Sequence, residues 1–456
     1  MVQRSHELDY QVTDVVSPNL ELHFRRDPVG NIDQLGVLGS FGFSPVEDYA
    51  YDDVYRLTSA QQVFTGGSRS FVYDLIGNRE SKTTEVSTQL YTYAMDSHHL
   101  IEVDGEARAY DATGNLISDQ SSGGRTFSYG DHNRLAAFSK PGLGVSYQYN
   151  GRGERVRKVG SNSNHRQSLG AMSYASYYFY DESGFLLAEH NAGLQGPVDS
   201  FEEYVYMDGL PVALIKSDGG VFYIHADHLG TPRAVSDRFG SKRWEWLLLG
   251  DPFGEQLPNE DPGNTGSDFT FNLRFPGQYY DQESGLHYNY FRDYEPMTGR
   301  YVQSDPIGLL GGISTFLYSN GNPLRFFDFF GLIPNNFSCR DFSGMQRARF
   351  QRVWDANIDD HCVERCKPGS ERACIEDCNA DRHDCMGGAK NVAIGTFAVS
   401  GVVSLAGGRS LVTAGCAIAV GAAGTIAGVA LGNSCEARSA FCMNRCWNTR
   451  FCDDVQ

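Results

Sequence analysis

The side chains whose types and spacing most clearly allow chemistry are the 11 cysteines, all of which lie at or after Cys339. Four of them form two pairs, each with three intervening residues, on either side of the turn-forming segment 367–370. These four are Cys362, Cys366, Cys374 and Cys378. Because residues four apart lie on one face of a helix, two short helices joined at this turn would bring the four thiols together.

Thiols in this arrangement either form two disulfides or bind one zinc ion as thiolates. Structural zinc sites more often use closer cysteine pairs on turns, so we expect disulfides, formed after delivery to an oxidising compartment. The segment also resembles twin Cys-x3-Cys hairpins, which implies the same pairing. A second cluster adds the disulfide candidates Cys435, Cys442, Cys446 and Cys452. The odd cysteine number leaves one unpaired, which we expect to be Cys416.

Between the two cysteine clusters lies an apolar segment, 391–435, whose only charged residue is Arg409. Its second half, 410–435, has the length of about 20 mainly apolar residues that a membrane-spanning helix needs. Three glycines spaced by four would let such helices pack closely in a bilayer, namely Gly424, Gly428 and Gly432. The segment predicts a helical hairpin that inserts into a membrane and self-associates. The alternative is a glycine- and alanine-rich hairpin buried in a soluble domain.

Other combinations of titratable side chains are weaker candidates. His225, Asp227 and His228 could be read as metal ligands, but the string 223–237 that contains them also reads as a strand and a turn. No Ser/His/Asp or metallonuclease pattern stands out in the cysteine-rich tail. The sequence therefore predicts neither a metal site nor a cofactor.

The elements before the tail are organised by a tyrosine repeat. An aromatic-x-Tyr-Asp pattern followed by Gly-Asn or Asn-Arg recurs from about residue 35. Its anchor tyrosines, 17 to 22 residues apart, are Tyr51, Tyr73, Tyr93, Tyr110, Tyr129 and Tyr149. The period fits one β-hairpin, with both aromatics on one strand face and the Asp and Gly residues in the turn. We expect stacked hairpins that bury their aromatic faces against their neighbours.

Residues 274–332 end this part of the chain with dense aromatic residues separated by turn formers, a pattern typical of β-hairpins. They contain the motifs PGQYYD-x-ESGL, P-x-TGR-Y-x-Q-x-DPIGL and NP-x4-D-x2-GL. With these motifs and the tyrosine repeat, residues 35–332 closely resemble Rhs/YD-repeat proteins. That family includes bacterial polymorphic toxins, insecticidal toxin C subunits and teneurins, and the string 223–237 matches its core as well.

The resemblance implies that the repeats form part of a hollow β-shell around the chain's own C-terminal segment. The expected fold is mainly β, followed by a small α-helical, cysteine-rich C-terminal domain; a generic tyrosine-rich β-sandwich is the alternative. We expect four segments: an N-terminal segment at 1–34, YD repeats at 35–222, an Rhs core at 223–332 and a variable effector domain at 333–456. The repeats are few for a family shell, so the chain is expected to be a shell's C-terminal end. It would then be a fragment, a displaced toxin cassette or half of a split assembly.

The resemblance also implies an aspartyl autoprotease. Asp305 and Asp328 would form the catalytic carboxylate pair, Arg292 would keep one of them ionised, and the cleaved bond would join Leu332 to Ile333. This chemistry is sound in itself, because two neighbouring carboxylates cannot both ionise cheaply, so one keeps a proton while the other activates water.

One residue departs from the family pattern. Phe329 follows Asp328 where the family has proline, a residue that fixes φ and lacks an N–H donor. The change affects how the cleavage loop is presented, and a purely structural core is the alternative to an active protease.

The charge of the chain is uneven. The first 332 residues hold 25 Lys and Arg and 43 Asp and Glu, whereas the rest holds 13 of each. An acidic body argues against nucleic-acid binding. The N-terminus has no apolar run that would predict a signal peptide, so we expect synthesis in the cytoplasm.

These features predict the C-terminal part of an Rhs polymorphic toxin that cleaves itself and releases a membrane-inserting, pore-forming effector. The resemblance implies delivery to target cells by contact-dependent or type VI-like systems in interbacterial competition. The implied partners are a cognate immunity protein, the rest of the shell or a secretion-system component, and the target-cell membrane, with the released tail associated with it. The alternatives are a soluble enzymatic toxin of unrecognised fold and an orphan structural end without activity.

Overall fold

A computed structural model of the chain describes residues 3–6, 11–40, 42–95, 97–120, 123–162, 172–193, 199–334, 411–413 and 416–418. The chain divides into two compact units, Met1–Asn336 and Phe337–Gln456. The eight predicted disulfide cysteines and the three glycines predicted to pack in a membrane lie outside the described residues.

The first unit consists of strands and the turns between them. The first twelve strands are β1 (Gln3–His6), β2 (Val12–Ser17), β3 (Leu20–Arg26), β4 (Ile32–Gly39), β5 (Gly42–Tyr51), β6 (Leu57–Gln62), β7 (Ser68–Tyr73), β8 (Arg79–Thr84), β9 (Thr88–Tyr93), β10 (Leu100–Val103), β11 (Glu106–Tyr110) and β12 (Leu116–Asp119). The next eleven are β13 (Arg125–Tyr129), β14 (Leu135–Lys140), β15 (Leu143–Tyr149), β16 (Arg155–Asn162), β17 (Met172–Tyr180), β18 (Leu186–Gly193), β19 (Asp199–Met207), β20 (Leu210–Lys216), β21 (Val221–Ala226), β22 (Pro232–Asp237) and β23 (Lys242–Glu245).

These 23 strands form one sheet in which each strand pairs antiparallel with the next one in sequence. The predictions of a mainly β fold and of stacked hairpins are confirmed. The sheet begins at Gln3, and β4 crosses the boundary expected at residue 35. The early strands lack the tyrosine signature but bury Val15, Leu22 and Phe24, so their apolar residues alone place them in the sheet.

Four of the repeat tyrosines, Tyr51, Tyr93, Tyr129 and Tyr149, each link their hairpin to the one before it. The hydroxyl of Tyr93 donates to the carbonyl oxygen of Arg79 over 2.9 Å. The hydroxyl of Tyr149 does the same to Leu135 over 2.8 Å. Each acceptor lies at the start of the return strand of the preceding hairpin, so the ring packs inward while its polar end is satisfied by the backbone.

The repeat aspartates build the turns as expected. Asp74 accepts hydrogen bonds at Oδ1 from the backbone nitrogens of Ile76 and Asn78, over 3.0 and 2.8 Å. Its Oδ2 accepts from Asn78 Nδ2 over 2.9 Å. Gly77 has a φ of 92°, a conformation that other residues rarely adopt. The Asp-x-x-Gly-Asn pattern therefore fixes the turn through one side chain and one glycine.

The sheet curves until its beginning meets its end. Arg4 of β1 donates to the carbonyl oxygen of Asp227, after β21, over 2.7 Å. Ser17 of β2 lies 2.8 Å from His225 of β21, measured from Oγ to Nδ1. The strands therefore surround residues 246–332, which follow β23 within this unit.

Residues 246–332 cover the inner face of this sheet along its length. Phe253 and Leu324 pack with β2–β7, Leu286 and Val302 with β12–β15, and Phe271 with β17–β23. A second sheet of four antiparallel strands forms within this segment from β24 (Tyr279–Asp281), β25 (Leu286–Asn289), β26 (Arg292–Glu295) and β27 (Arg300–Tyr301). Two 3-10 helices follow, at Gly308–Gly311 and Tyr318–Gly321. We call residues 246–332 the inner segment.

Buried ion pairs join the inner segment to the surrounding strands. Glu295 contacts Arg108 over 2.8 Å and Arg125 over 2.5 Å, and Asp119 also pairs with Arg125. Burial alone would raise the pKa of Glu295, but the two guanidinium groups outweigh it and lower the pKa to about 2. Cations on the strands thus meet carboxylates on the inner segment, which fixes how the two fit together.

Part of the apolar segment 391–435 is described, and it differs from the prediction. β28 (Leu411–Thr413) and β29 (Cys416–Ile418) pair antiparallel, so the predicted helix is wrong for these residues. The β-branched side chains of Val412, Thr413 and Ile418 favour extended backbone, which accounts for the difference. Within the described ranges, no helix combines the length and apolar character that a membrane crossing requires.

Candidate functional site

The structure brings together the three residues that the sequence predicts for catalysis. Arg292 begins β26, Asp305 follows β27, and Asp328 lies near the end of the inner segment. Arg292 Nη2 lies 2.9 Å from Asp305 Oδ2 and 3.1 Å from Asp328 Oδ2. All three side chains are at most 2% exposed. One guanidinium nitrogen therefore bridges two buried carboxyl groups.

Asp328 contacts the backbone of the predicted cleavage bond. Its Oδ1 accepts hydrogen bonds from the backbone nitrogen of Leu332 over 2.9 Å and from that of Ile333 over 3.2 Å. Its Oδ2 accepts from the hydroxyl of Tyr301 over 2.9 Å. With Arg292 as a fourth donor, both carboxyl oxygens of Asp328 are held by hydrogen-bond donors.

Asp305 lies in a different electrostatic environment. Burial raises its pKa to about 7, Arg292 opposes the rise, and the charge of Asp328 adds to it. The backbone nitrogen of Ile307 donates to Asp305 Oδ1 over 3.0 Å, which leaves Oδ2 toward the other members of the site. Asp305 therefore keeps its proton closer to neutral pH than a free carboxyl group does, which is what a general acid working near neutral pH requires.

Gly311 allows Asp305 to approach the carbonyl group of Leu332. A Cβ atom on Gly311 would lie 2.6 Å from the carbonyl oxygen of Leu332 and would also overlap Asp305 Oδ2. Both oxygens therefore lie against the same side of Gly311. The carboxyl group of Asp305 and the carbonyl oxygen of the predicted cleavage bond thus share the space that a side chain at residue 311 would fill.

Arg292 holds the backbone of this region as well as the carboxylates. Its Nε donates to the carbonyl oxygen of Gly331 over 2.6 Å, and its Nη1 donates to that of Thr315 over 3.1 Å. The guanidinium carbon lies 3.7 Å from the ring centre of Tyr301. Arg292 therefore fixes the residue before Leu332 relative to both carboxyl groups.

Three residues of this site were not identified from the sequence: Tyr301, Gly311 and Asn289. Asn289 Nδ2 donates to the Tyr301 hydroxyl over 2.8 Å and to the carbonyl oxygen of Asp328 over 2.8 Å. Tyr301 stands within the motif P-x-TGR-Y, so the motif could have marked it. No sequence signal marks Gly311, which lies in a run of Gly and Leu.

The bond between Leu332 and Ile333 lies where water can reach it. Leu332 and Ile333 are both partly exposed, whereas Gly331 and Pro334 on either side are buried. The predicted cleavage bond therefore lies between buried anchors, next to a buried pair of carboxyl groups.

The histidines considered as metal ligands have protein partners instead. His225 lies between Ser17 and Ser236, at 2.8 Å from each hydroxyl oxygen. His228 Nε2 lies 2.7 Å from the carbonyl oxygen of Leu324, and Asp227 pairs with Arg233 over 2.8 Å. Burial lowers the pKa of both histidines to about 4. In the part of the chain that the structure describes, no three His, Cys, Asp or Glu side chains are placed to hold a metal ion together.

Comparison with known proteins identifies similar chains. A sequence model of the Teneurin YD-shell family matches residues 3–309. Toxin protein Tse5 of Pseudomonas aeruginosa is 41% identical over 113 residues, which are 25% of this chain and 8% of Tse5. Double-stranded DNA deaminase toxin A of Burkholderia cenocepacia is 25% identical over 323 residues, which are 62% of this chain and 22% of that protein. The tRNA nuclease WapA of Bacillus subtilis is 27% identical over 267 residues, 56% of this chain and 10% of WapA.

Solved structures show the same fold. The crystal structure of TcdB2-TccC3 matches 73% of this chain with a TM-score of 0.58 at 20% identity, and the match covers 18% of that chain. The Photorhabdus luminescens Tc holotoxin pore matches 76% of this chain with a TM-score of 0.58 at 19% identity, again over 18% of that chain. This chain thus spans less than a quarter of the length of each of these proteins.

Proposed function

We propose, from the chain's membership of the Teneurin YD-shell family, that it is the closing end of a toxin shell. This membership confirms the resemblance to Rhs/YD-repeat proteins. We propose further that the chain cuts itself once, between Leu332 and Ile333. The observation that supports the proposal best is the buried cluster of Arg292, Asp305 and Asp328 around that one peptide bond.

The two carboxyl groups take different roles in the proposed reaction. Asp328, with four hydrogen-bond donors, is the general base that removes a proton from water. Asp305, whose burial raises its pKa to about 7, is the general acid beside the carbonyl oxygen of Leu332. A carboxylic acid that keeps its proton near neutral pH can donate it to the oxygen on which negative charge develops.

The reaction proceeds in two steps. The water oxygen bonds to the carbonyl carbon of Leu332 while Asp328 takes one water proton and Asp305 gives its proton to the carbonyl oxygen. The carbon–nitrogen bond then breaks, Asp328 gives the proton it holds to the nitrogen of Ile333, and Asp305 regains a proton from the hydroxyl of the intermediate. The distance of 3.2 Å between Asp328 Oδ1 and that nitrogen suits the transfer. The products are a carboxyl group on Leu332 and an amine on Ile333.

Expression of the full chain tests this proposal. Wild-type protein is expected to give two polypeptides on a denaturing gel, with the smaller one beginning at Ile333. Asp328→Asn is expected to leave the chain whole, and Asp53→Asn, at an exposed turn, serves as the matched control that still cleaves. Persistent full-length wild-type chain would remove the protease claim.

The fragment released by this cut is the proposed effector. Sequence composition supports a membrane-inserting, pore-forming function, because residues 391–435 contain a single charge. A shell would keep such an apolar segment away from water and from the producer's own membrane. The names of the relatives as toxins support delivery to target cells and a cognate immunity protein as a partner.

A second candidate for the effector is an enzyme that acts on nucleic acid. It is favoured by the names of two relatives, a DNA deaminase toxin and a tRNA nuclease. The prediction that nucleic acid has no part in the function is therefore not supported. Leakage of dye from liposomes by residues 333–456 would favour the membrane function. Growth arrest with damaged nucleic acid and no leakage would favour the enzyme. If neither leakage nor growth arrest occurs, the chain is a structural shell end without an active effector.

A further inference from the structure

Phe329, the residue that replaces the family's proline, has its side chain in an aromatic contact with the shell. Its ring centre lies 4.8 Å from that of Phe185, with the two rings inclined by 63°. Phe185 in turn lies 5.0 Å from Tyr206 of β19. Phe185 closes the turn between β17 and β18, so Phe329 is held by residues more than a hundred positions earlier in the sequence.

The backbone of Phe329 is held closely on its other side. Gly277 has a φ of 84°, and a Cβ there would lie 2.7 Å from the carbonyl carbon of Phe329 and 2.8 Å from its Cα. Only glycine permits this approach. The next carbonyl oxygen, that of Phe330, accepts a hydrogen bond from the backbone nitrogen of Phe291 over 3.0 Å. Ring and backbone are therefore both fixed just before the proposed cleavage bond.

The ring lies at a mostly apolar cavity of about 500 Å³. Its walls include Phe185, Leu210, Pro232, Leu273 and Pro276, and Phe329 forms part of the lining. The cavity has room for a larger side chain than phenylalanine, and most of its lining surface is apolar. Its chemistry thus suits aromatic and large aliphatic side chains.

We propose that this cavity is a substrate-binding subsite of the self-cleavage reaction, specific for an aromatic or large apolar side chain at the fourth residue before the cleaved bond. The inference rests on the proposed function and extends it by a specificity determinant. Phe329 directly follows Asp328, so anchoring its ring also positions the carboxylate. Where proline would restrict the backbone through its fixed φ, the half-buried ring of Phe329 restricts it through its packing on Phe185.

Cleavage rates in a cell-free translation system test the subsite. Full-length chain is labelled in a short pulse, and loss of the uncut band is followed during the chase. Phe185→Ala and Phe329→Ala are each expected to slow cleavage about tenfold to a hundredfold, because a shift of about 1 Å in a reacting group can cost a hundredfold in rate. The double variant is expected to be no slower than the slower single variant, since both remove one contact. Phe329→Tyr and Phe185→Leu are expected to retain most of the rate.

Controls separate positioning from folding. Phe179→Ala changes another aromatic residue of β17 that packs on Phe201 outside the subsite, and it is expected to cleave at the wild-type rate. Intact mass gives a second readout: the wild-type fragment begins only at Ile333, whereas Phe185→Ala and Phe329→Ala are expected to yield additional start positions. Resistance of the shell to trypsin is measured in the same samples.

The outcomes distinguish failure of the subsite from failure of the proposed self-cleavage. Wild-type rates and a single cut position in Phe185→Ala and Phe329→Ala would overturn the subsite and leave the protease intact. If the variants cleave more slowly only to the extent that their shells lose resistance to trypsin, the slowing reflects unfolding, and the subsite is also overturned. If the wild-type chain stays whole, or Asp328→Asn cuts at the wild-type rate, the proposed function itself fails.

Discussion

The backbone nitrogen of Ile333 donates a hydrogen bond to Oδ1 of Asp328 over 3.2 Å, so the carboxylate contacts the nitrogen that would leave in cleavage. The two residues are five positions apart, and the turn between them is fixed by Arg292 through the carbonyl oxygen of Gly331. The loop 328–333 thereby places the peptide bond between Leu332 and Ile333 against the carboxyl group of Asp328.

Cleavage is expected to slow as the pH rises above about 7. The ordinary pKa of Asp305 is 3.8 and its folded value is about 7, so the folded chain binds this proton more tightly. The proposed acid is present below pH 7 and is lost above it, which predicts a fall of about tenfold in rate per pH unit. The contribution of protonated Asp305 to the free energy of unfolding depends on pH in the same direction. It is fully present below the pKa of Asp305 in the unfolded chain, and it is lost as the pH rises through 7.

Pulse-labelled precursor diluted into buffers between about pH 6 and 9 gives this profile. A rate that rises with pH over the same range would mean that Asp305 acts as a base, contrary to its assigned role.

Gly311→Ala is expected to abolish cleavage while leaving the shell folded. The added methyl group would overlap Asp305 Oδ2 and the carbonyl oxygen of Leu332, and it would force the acid and its target apart. We expect at least about a hundredfold loss in rate. Gly130→Ala is the matched control, because a Cβ at Gly130 meets no atom within 4 Å. Normal cleavage in Gly311→Ala would show that Asp305 does not act on Leu332.

Tyr301→Phe is expected to slow cleavage by roughly tenfold to a hundredfold. The variant keeps the ring under Arg292 but removes the hydroxyl that donates to Asp328 over 2.9 Å. A hydrogen bond to a charged group contributes about 1.5–3 kcal/mol. Its loss should slow cleavage by the corresponding factor and leave the fall in rate above pH 7, which reports Asp305, in place.

The control for this substitution is Tyr294→Phe, which removes a hydroxyl bonded to the carbonyl oxygen of Phe253 in the same buried core. Equal slowing in both variants would assign Tyr301 a structural role only.

Glu295→Gln is expected to destabilise the folded chain by about 3 kcal/mol, because it leaves Arg108 and Arg125 buried with less compensating charge. Urea unfolding followed by the fluorescence of the buried Trp244 and Trp246 measures this, in the uncut Asp328→Asn background. Glu106→Gln, at an exposed position, is the control.

The pH dependence of this ion-pair cluster has the opposite sign to that of Asp305. The pKa of Glu295 is lowered from 4.5 to about 2, so its stabilising effect is present above pH 4.5 and lost as the pH falls toward 2. The stabilities of the wild-type and Glu295→Gln chains should therefore converge in acid. A constant difference across this range would contradict the assignment.

The sequence predicts local features of this fold better than distant ones. Tyr73 and Asp74 specify a strand and its turn within a few residues, so the hairpins follow from the pattern. The contact between Phe185 and Phe329 depends on how the sheet curves around the inner segment, and no local pattern encodes that curvature. The carboxyl pair was identified because its motifs are family motifs. Gly311 could not be predicted from the sequence, because the need for glycine arises only where the folded chain brings Asp305 and Leu332 against it.

Cleavage in heavy-oxygen water shows whether Asp328 promotes hydrolysis of the bond after Leu332. The full chain is synthesised in that solvent, and the shell fragment is digested and analysed by mass spectrometry. We expect a peptide that ends at Leu332 and carries one heavy oxygen in its new carboxyl group, and no such peptide from Asp328→Asn. A labelled cut at the same bond in Asp328→Asn, at the wild-type rate, would contradict catalysis by Asp328, as would a wild-type chain that remains whole.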